Sequence, residues 1–317
     1  MKKILTLVIG ITASAFALAA QPLLSPAELQ ARLSAKNSKT EVRVIDIRDA
    51  KSYGEQHIPG AVNAPYGSWR GPATNPGELP ELPKLTQLVQ SLGLTPATHA
   101  VVVSTGADAT DFGAAARVYW TLKVLGLKEL SILNGGVKAW SQAGLPQDNA
   151  AVKVAASSYQ PKLDQSLIAT REEVAAQVGS GKANLIDSRP LDFYQGETRH
   201  AAAKLPGTIQ GAAHLSHDKW FAPGSSTFIG TEEARKVAAS APVDAQKETV
   251  AFCNTGHWAA TNWFALSEVA GQKNVSLYAG SMVDWTQDSK ALPMDNVPSR
   301  VKQLAIDAKL WSDKVGK

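Results

Sequence analysis

Cys253 is the only cysteine in 317 residues, and it stands in the run Val250-Ala251-Phe252-Cys253-Asn254-Thr255-Gly256-His257-Trp258-Ala259. A thiol in that setting can act as a nucleophile. Thr249 to Phe252 is a short β-prone apolar run, and Trp263, Phe264, Leu266 and Val269 recur with a spacing that predicts a helix over 260–270, ended by Gly271. Strand, loop and helix thus follow one another, with Gly256 supplying a tight turn. Backbone N–H groups between Asn254 and Ala259 then point inward at a helix start, where such groups favour a thiolate over a thiol and hold an anion beside it. Three loop side chains add to this. Thr255 offers a hydroxyl, His257 an imidazole whose reference pKa of about 6.5 lets it take up a proton near neutral pH, and Trp258 a flat apolar wall. With no second cysteine there is no internal disulfide, so the thiol stays free and stability comes from packing.

The elements that must position this loop occur twice. Val44-Ile45-Asp46-Ile47-Arg48 recurs as Leu185-Ile186-Asp187-Ser188-Arg189, and Gln56-His57-Ile58-Pro59-Gly60-Ala61 recurs more loosely as Gly207-Thr208-Ile209-Gln210-Gly211-Ala212. Leu130 to Trp140 matches Val275 to Trp285 at a constant offset of 145. Solenoid repeats have periods of about 20 to 50 residues, so this is a duplicated domain. Each copy reads as apolar strands separated by helices, which predicts an α/β fold: two tandem domains, each a parallel sheet covered by helices on both faces. The boundaries are a leader over 1–20, an N-terminal domain over 21–147, a polar linker over 148–165 and a C-terminal domain over 166–317. Ligands of open α/β sheets sit at the carboxyl ends of strands, where both Cys253 and Arg189 fall. In the first copy the strand Val101-Val102-Val103 meets Ser104, and the loop from there to Arg117 reads as four residues longer than its counterpart from Cys253 to Asn262.

Strand-Cys-x-x-Gly-x-x-Ala-helix, followed by Val275-Ser276-Leu277-Tyr278-Ala279-Gly280-Ser281 and Trp285, resembles the active-site half of the rhodanese sulfurtransferases. Tandem members of that family resemble the whole arrangement, an inactive first domain before an active second. The resemblance implies sulfur transfer through a persulfide on Cys253, from a small-molecule sulfur donor to a thiol or cyanide acceptor, without a cofactor. It implies that Arg189 contacts the donor, and that Asn254, Thr255, Gly256, His257, Trp258 and Ala259 form its cradle. The N-terminal copy is then silent, because a serine hydroxyl at Ser104 cannot hold a sulfane sulfur. Thiosulfate-type members carry basic residues after the cysteine and mercaptopyruvate-type members carry Cys-Gly-Ser-Gly-Val-Thr. Here the run is Cys-Asn-Thr-Gly-His-Trp, which fits neither template; of the two donors the family resemblance implies, thiosulfate is expected over 3-mercaptopyruvate. The same loop would suit a sulfane-sulfur carrier that loads once and does not turn over.

Other chemistries lack their residues. Six positions after Cys253 stands Ala259, where a Cys-dependent phosphatase needs the arginine that clamps phosphoryl oxygens. There is no Cys-x-x-Cys for dithiol redox chemistry. His214-x-x-His217, even with His200, reads as surface histidines and not as a metal site. Lys2-Lys3, the apolar run from Ile4 to Ala19 and the small residues up to Ala20 predict a secretory signal and a periplasmic mature chain with no membrane anchor. The formal charge of +4 loses two with that leader, too small a surplus to point to nucleic acid.

Overall fold

The computed structural model describes residues 20–35, 40–244 and 246–315. The predicted secretory signal, apart from Ala20, lies outside the described residues.

In the first domain, strands β1 (Leu23–Leu24), β2 (Val42–Asp46), β3 (Val62–Asn63), β4 (His99–Val103) and β5 (Leu130–Leu133) form a parallel sheet in the order β1-β5-β4-β2-β3. Its helices are α1 (Pro26–Ser34), α2 (Ala50–Glu55), α3 (Leu82–Ser91), α4 (Ala109–Val124) and α5 (Gly136–Gln142). Alternate residues of β4 feed opposite faces. Val101 and Val103 pack with Leu29 of α1 and Trp140 of α5, while Ala100 and Val102 pack with Leu85 of α3 and with α4. The near-continuous apolar reading of β4 is what burial on both faces requires.

The second domain repeats the plan. Strands β6 (Ala183–Asp187), β8 (Ala213–His214), β9 (Glu248–Phe252) and β10 (Val275–Leu277) run parallel in the order β10-β9-β6-β8, and Ile168 pairs beside Leu277 as β1 pairs beside β5. Strands β7 (Thr208–Ile209) and β11 (Met294–Asp295) add an antiparallel ribbon. Its helices are α6 (Arg171–Gln177), α7 (Leu191–Tyr194), α8 (Thr231–Ala239), α9 (Trp258–Trp263), α10 (Ser281–Gln287) and α11 (Arg300–Val315). Even the capping boxes repeat at the same offset. Ser25 with Glu28 starts α1, and Thr170 with Glu173 starts α6, each pair satisfying two orphan amides.

Two readings of the chain around the loops are corrected here. The loop after Ser104 is not longer: α4 starts at Ala109, five positions past Ser104, and α9 starts at Trp258, five past Cys253. The extra residues lie in the helix, since α4 has 16 residues, whereas α9 has 6 and continues as a 6-residue π-helical stretch, Phe264–Val269. That stretch is the second half of the predicted 260–270 helix, widened so that Phe264, Ala265, Leu266 and Val269 are all buried.

The predicted linker has no regular structure over 149–164 but is tied to the first domain: Ser157 N–H donates to Gln90 O at 2.9 Å and Asp164 N–H to Val124 O at 2.8 Å. The domains share one core. Phe112 of α4 meets Phe221, Phe228 and Phe264 at ring distances of 5.2, 5.4 and 5.7 Å, and Tyr119 meets Phe264 at 5.1 Å. Each such side chain stabilises by about 1.5–3 kcal/mol through burial alone. A large apolar contact of this kind holds two domains as one body.

Candidate active site

β9 ends at Phe252 in the middle of its sheet, so Cys253 leaves the carboxyl edge between two neighbours and is 1% exposed. The loop Asn254–His257 turns at Gly256, where φ is +65°. A side chain could not fit there, because a Cβ would stand 2.6 Å from Ala279 O and would strike the Arg117 guanidinium. Among the described residues, the amides of Asn254, Thr255 and His257 have no hydrogen-bond acceptor. They are left to a ligand or water. Asn254 is 4% and Thr255 8% exposed, and Ala259 is buried in the first turn of α9.

Ser281 sets the shape of this loop. Its Oγ accepts from Cys253 N–H at 3.0 Å and Gly256 N–H at 3.1 Å, and donates to Tyr278 O at 2.8 Å. Its φ is +54°, a conformation that L-residues rarely adopt, and the equivalent position in the first domain is Gly136 at +60°. Strain of this sort persists where surrounding structure over-determines it. The offset of 145 places a serine on a glycine position, which is the signal that could have marked Ser281.

Arg189, expected to contact the donor, is engaged by an acid two positions before it. It is 1% exposed, and its Nε and Nη2 bind the Asp187 carboxylate at 2.9 and 2.5 Å, while Nη2 also donates to Gly207 O at 2.7 Å. Only Nη1 reaches the loop, toward Asn254 Oδ1 at 3.4 Å. In the first domain Arg48 binds Asp46 in the same way, at 3.0 and 2.6 Å, and also a backbone carbonyl, Gln56 O, at 2.7 Å. An ion pair present in the copy without a cysteine serves the fold of both copies.

The reading of His257 is corrected. Its Nε2–H donates to Thr110 O at 2.7 Å, so in the neutral ring Nδ1 is the acceptor and receives the Tyr66 hydroxyl at 2.8 Å. Burial of the ring, with the Arg70 cation nearby, lowers its pKa to about 4, so it is neutral at pH 7. Gly113 of α4 makes room for it: a Cβ there would lie 2.9 Å from Nε2. Trp258 is partly buried, stacks on His217 at 4.9 Å and donates to Thr110 Oγ1 at 3.3 Å. His217 is thus 5% exposed and not a surface residue, and His214 is tied to Arg189 O at 2.8 Å. Among the described residues no group of three or more His, Cys, Asp or Glu side chains stands close enough to share a metal ion.

The first domain supplies residues that sequence reasoning missed. Arg70 donates to Thr255 O at 2.8 Å and lies 5.2 Å over the Tyr66 ring. Arg117, fully buried in α4, donates to Gly256 O at 3.3 Å and Gly77 O at 2.8 Å. Burial first, and the Arg70 charge second, lower the Arg117 pKa to about 9. Cys253 lies near both Arg117 and Tyr66. The loop after Ser104, by contrast, is already filled: the Asp111 carboxylate accepts from Gly106 N–H at 2.5 Å and Ala107 N–H at 3.3 Å.

Two parallel α/β domains with a lone cysteine at the edge of the second define a rhodanese-like arrangement, and comparison with known proteins agrees. The family model for the rhodanese-like domain matches residues 25–143 and 170–288, and the chain belongs to that family. It is 32% identical to a putative thiosulfate sulfurtransferase of Mycolicibacterium smegmatis over 80% of this chain and 89% of that protein. It is 31% identical to a probable 3-mercaptopyruvate sulfurtransferase of Pseudomonas aeruginosa, over 82% of this chain and 94% of the other. Among solved structures it shares the fold of a 3-mercaptopyruvate sulfotransferase of Escherichia coli, with a TM-score of 0.70 and 22% identity over 83% of this chain and 99% of that one.

Proposed function

We propose that this chain is a sulfurtransferase that takes sulfane sulfur from thiosulfate onto Cys253 and yields it to cyanide or a thiol. The observation that carries this reading is the sole cysteine at the end of the central strand β9, followed by three amides with no acceptor among the described residues. The names of the relatives, most of them thiosulfate sulfurtransferases, support the donor. In the first step the Cys253 thiolate attacks the outer sulfur of thiosulfate; the S–S bond breaks, its electron pair leaves on sulfite, and Cys-S-S⁻ remains. In the second step cyanide attacks the terminal sulfur, thiocyanate leaves, and the thiolate returns. Charge balances in both steps, and the role of stabilising the persulfide anion falls on this reading to the amides of Asn254, Thr255 and His257, which have no acceptor among the described residues.

The test is thiocyanate formation from excess thiosulfate and cyanide, with mass analysis of the protein. Turnover, a gain of about 32 Da after thiosulfate alone, and loss of both in Cys253→Ser are expected. A single loading without turnover would instead make the chain a carrier, and turnover in Cys253→Ser would remove Cys253 from the mechanism. The same mass spectrum reads the amino terminus. Export with cleavage after Ala19 or Ala20, supported by the Lys2-Lys3 start and apolar run, fails if active protein retains Met1.

A further inference from the structure

We infer that the donor anion is held by two arginines of the N-terminal domain, Arg70 and Arg117, and that the pair selects a compact dianion over a monoanionic carboxylate. This rests on the sulfurtransferase reading above. Five other partly or fully buried arginines pair with a carboxylate: Arg43 with Glu41, Arg48 with Asp46, Arg171 with Asp284, Arg189 with Asp187 and Arg199 with Asp307. Among the described residues, Arg70 and Arg117 have none; they donate to the carbonyls of Thr255, Gly256 and Gly77 and lie over the rings of Tyr66 and Trp120. Carbonyl oxygens satisfy donors without cancelling charge.

Donors also remain free. Arg70 Nη1 and Arg117 Nε are buried with no partner. Buried polar atoms of this kind are rare and call for a ligand or water. Two cations close enough to repel each other, held without a counter-ion, favour any anion that enters between them and the cysteine loop. Thiosulfate brings two negative charges and its sulfite leaving group takes both away, whereas a mercaptopyruvate carboxylate brings one. On the C-terminal side Arg189 is engaged by Asp187 and His257 is neutral, so neither competes for the anion with a free charge. Arg117 is fully buried and Arg70 only partly so, and this puts Arg70 on the approach and Arg117 behind the loop.

Full-length Arg70→Ala and Arg117→Lys are compared with wild type, using thiosulfate and 3-mercaptopyruvate as donors and cyanide as acceptor. Lysine at 117 keeps the charge while removing the fork, so the site remains testable should a neutral side chain there prevent folding. Losing one charged hydrogen-bonding group should lower kcat/KM for thiosulfate by about 10- to 150-fold, mostly through KM. The fall for 3-mercaptopyruvate should be smaller, so the ratio between donors shifts against thiosulfate. A second readout needs no turnover: sulfite titrated calorimetrically onto Cys253→Ser should bind, and should bind at least about tenfold more weakly once Arg70→Ala is added. A thiosulfate KM within about twofold of wild type in Arg70→Ala, equal losses with both donors, or sulfite binding indifferent to Arg70 would overturn the assignment. Absence of turnover in the wild type would count against the sulfurtransferase reading, and the sulfite titration would still decide the anion site.

Discussion

Gly256→Ala adds a single methyl group to the cysteine loop, and two separate penalties can be read from its surroundings. The first is conformational: φ is +65°, and an L-residue in that region costs about 1–2 kcal/mol. The second is steric. The new Cβ would lie 2.6 Å from Ala279 O and 2.9 Å from Ala279 Cα, with the Arg117 guanidinium nearer still. Ala279 follows β10 in the backbone and cannot swing aside as a side chain could, so the loop or Arg117 must move. Overpacking of this order costs about 1–3 kcal/mol, for a total of about 2–5 kcal/mol.

The movement would break Gly256 N–H to Ser281 Oγ and Arg117 to Gly256 O, the contacts that fix the loop. Gly211→Ala is the control, because Gly211 has φ +76° and nothing within 4 Å of a built Cβ. It should show the conformational penalty alone. Urea unfolding of both variants, with single-turnover sulfur loading by mass, separates the terms. Gly256→Ala should be the less stable by at least about 1 kcal/mol and should load more than about tenfold more slowly while still folded. Equal destabilisation in the two variants, or wild-type loading in Gly256→Ala, would refute the steric argument.

His257 binds a proton less readily in the fold, at about 4, than in the unfolded chain, at about 6.5, so between those values the unfolded state holds more protons and stability falls as pH falls. His257→Gln should flatten that part of the stability curve relative to wild type and leave activity between pH 6 and 8 without a step; an unchanged acid slope in urea titrations would show that the ring is not the titrating group. Ser104→Cys in a Cys253→Ser background should form no persulfide detectable by mass, because Asp111 already fills the amides at Gly106 and Ala107. Sulfur loading on the introduced thiol would show that the carboxylate yields its place to an anion.

Local pattern carries the cysteine loop and the duplication. A strand ending at Phe252, a glycine turn and an apolar helix are each set by residues a few positions apart, and the offset of 145 lies in plain view in Leu130 to Trp140 against Val275 to Trp285. The arginines facing the loop are not legible, since Arg70 meets Thr255 across 185 positions and Arg117 meets Gly256 across 139. Only the docking of the domains joins them. The pairing of Arg189 with Asp187 is itself legible, because Asp46 and Arg48 repeat the pair in a copy that has no cysteine. The loop comparison fails for another reason. Arg117 and Asn262 are poor markers of a helix start, because the extra residues belong to α4, where helical spacing alone gives no start.

A first copy without a cysteine is not thereby dispensable. α4 carries Gly113, which admits the His257 ring; Phe112, which joins the shared aromatic core; and Arg117, which holds the carbonyl of Gly256. Tyr66 and Arg70, in the segment after β3, secure His257 and Thr255. Without these contacts three residues of the loop, Thr255 to His257, would lose side-chain or carbonyl partners, and Phe264 would lose the Phe112 ring. A loop rich in unpaired amides is not rigid by its own means, and electrostatic stabilisation of a persulfide requires donors fixed before the charge arrives. On the proposed function, the second domain supplies the nucleophile and the amides, and the first supplies the wall and the cations that keep them in place. Divergence after duplication thus fits a division in which one copy filled its own cradle with Asp111 and the other left it open.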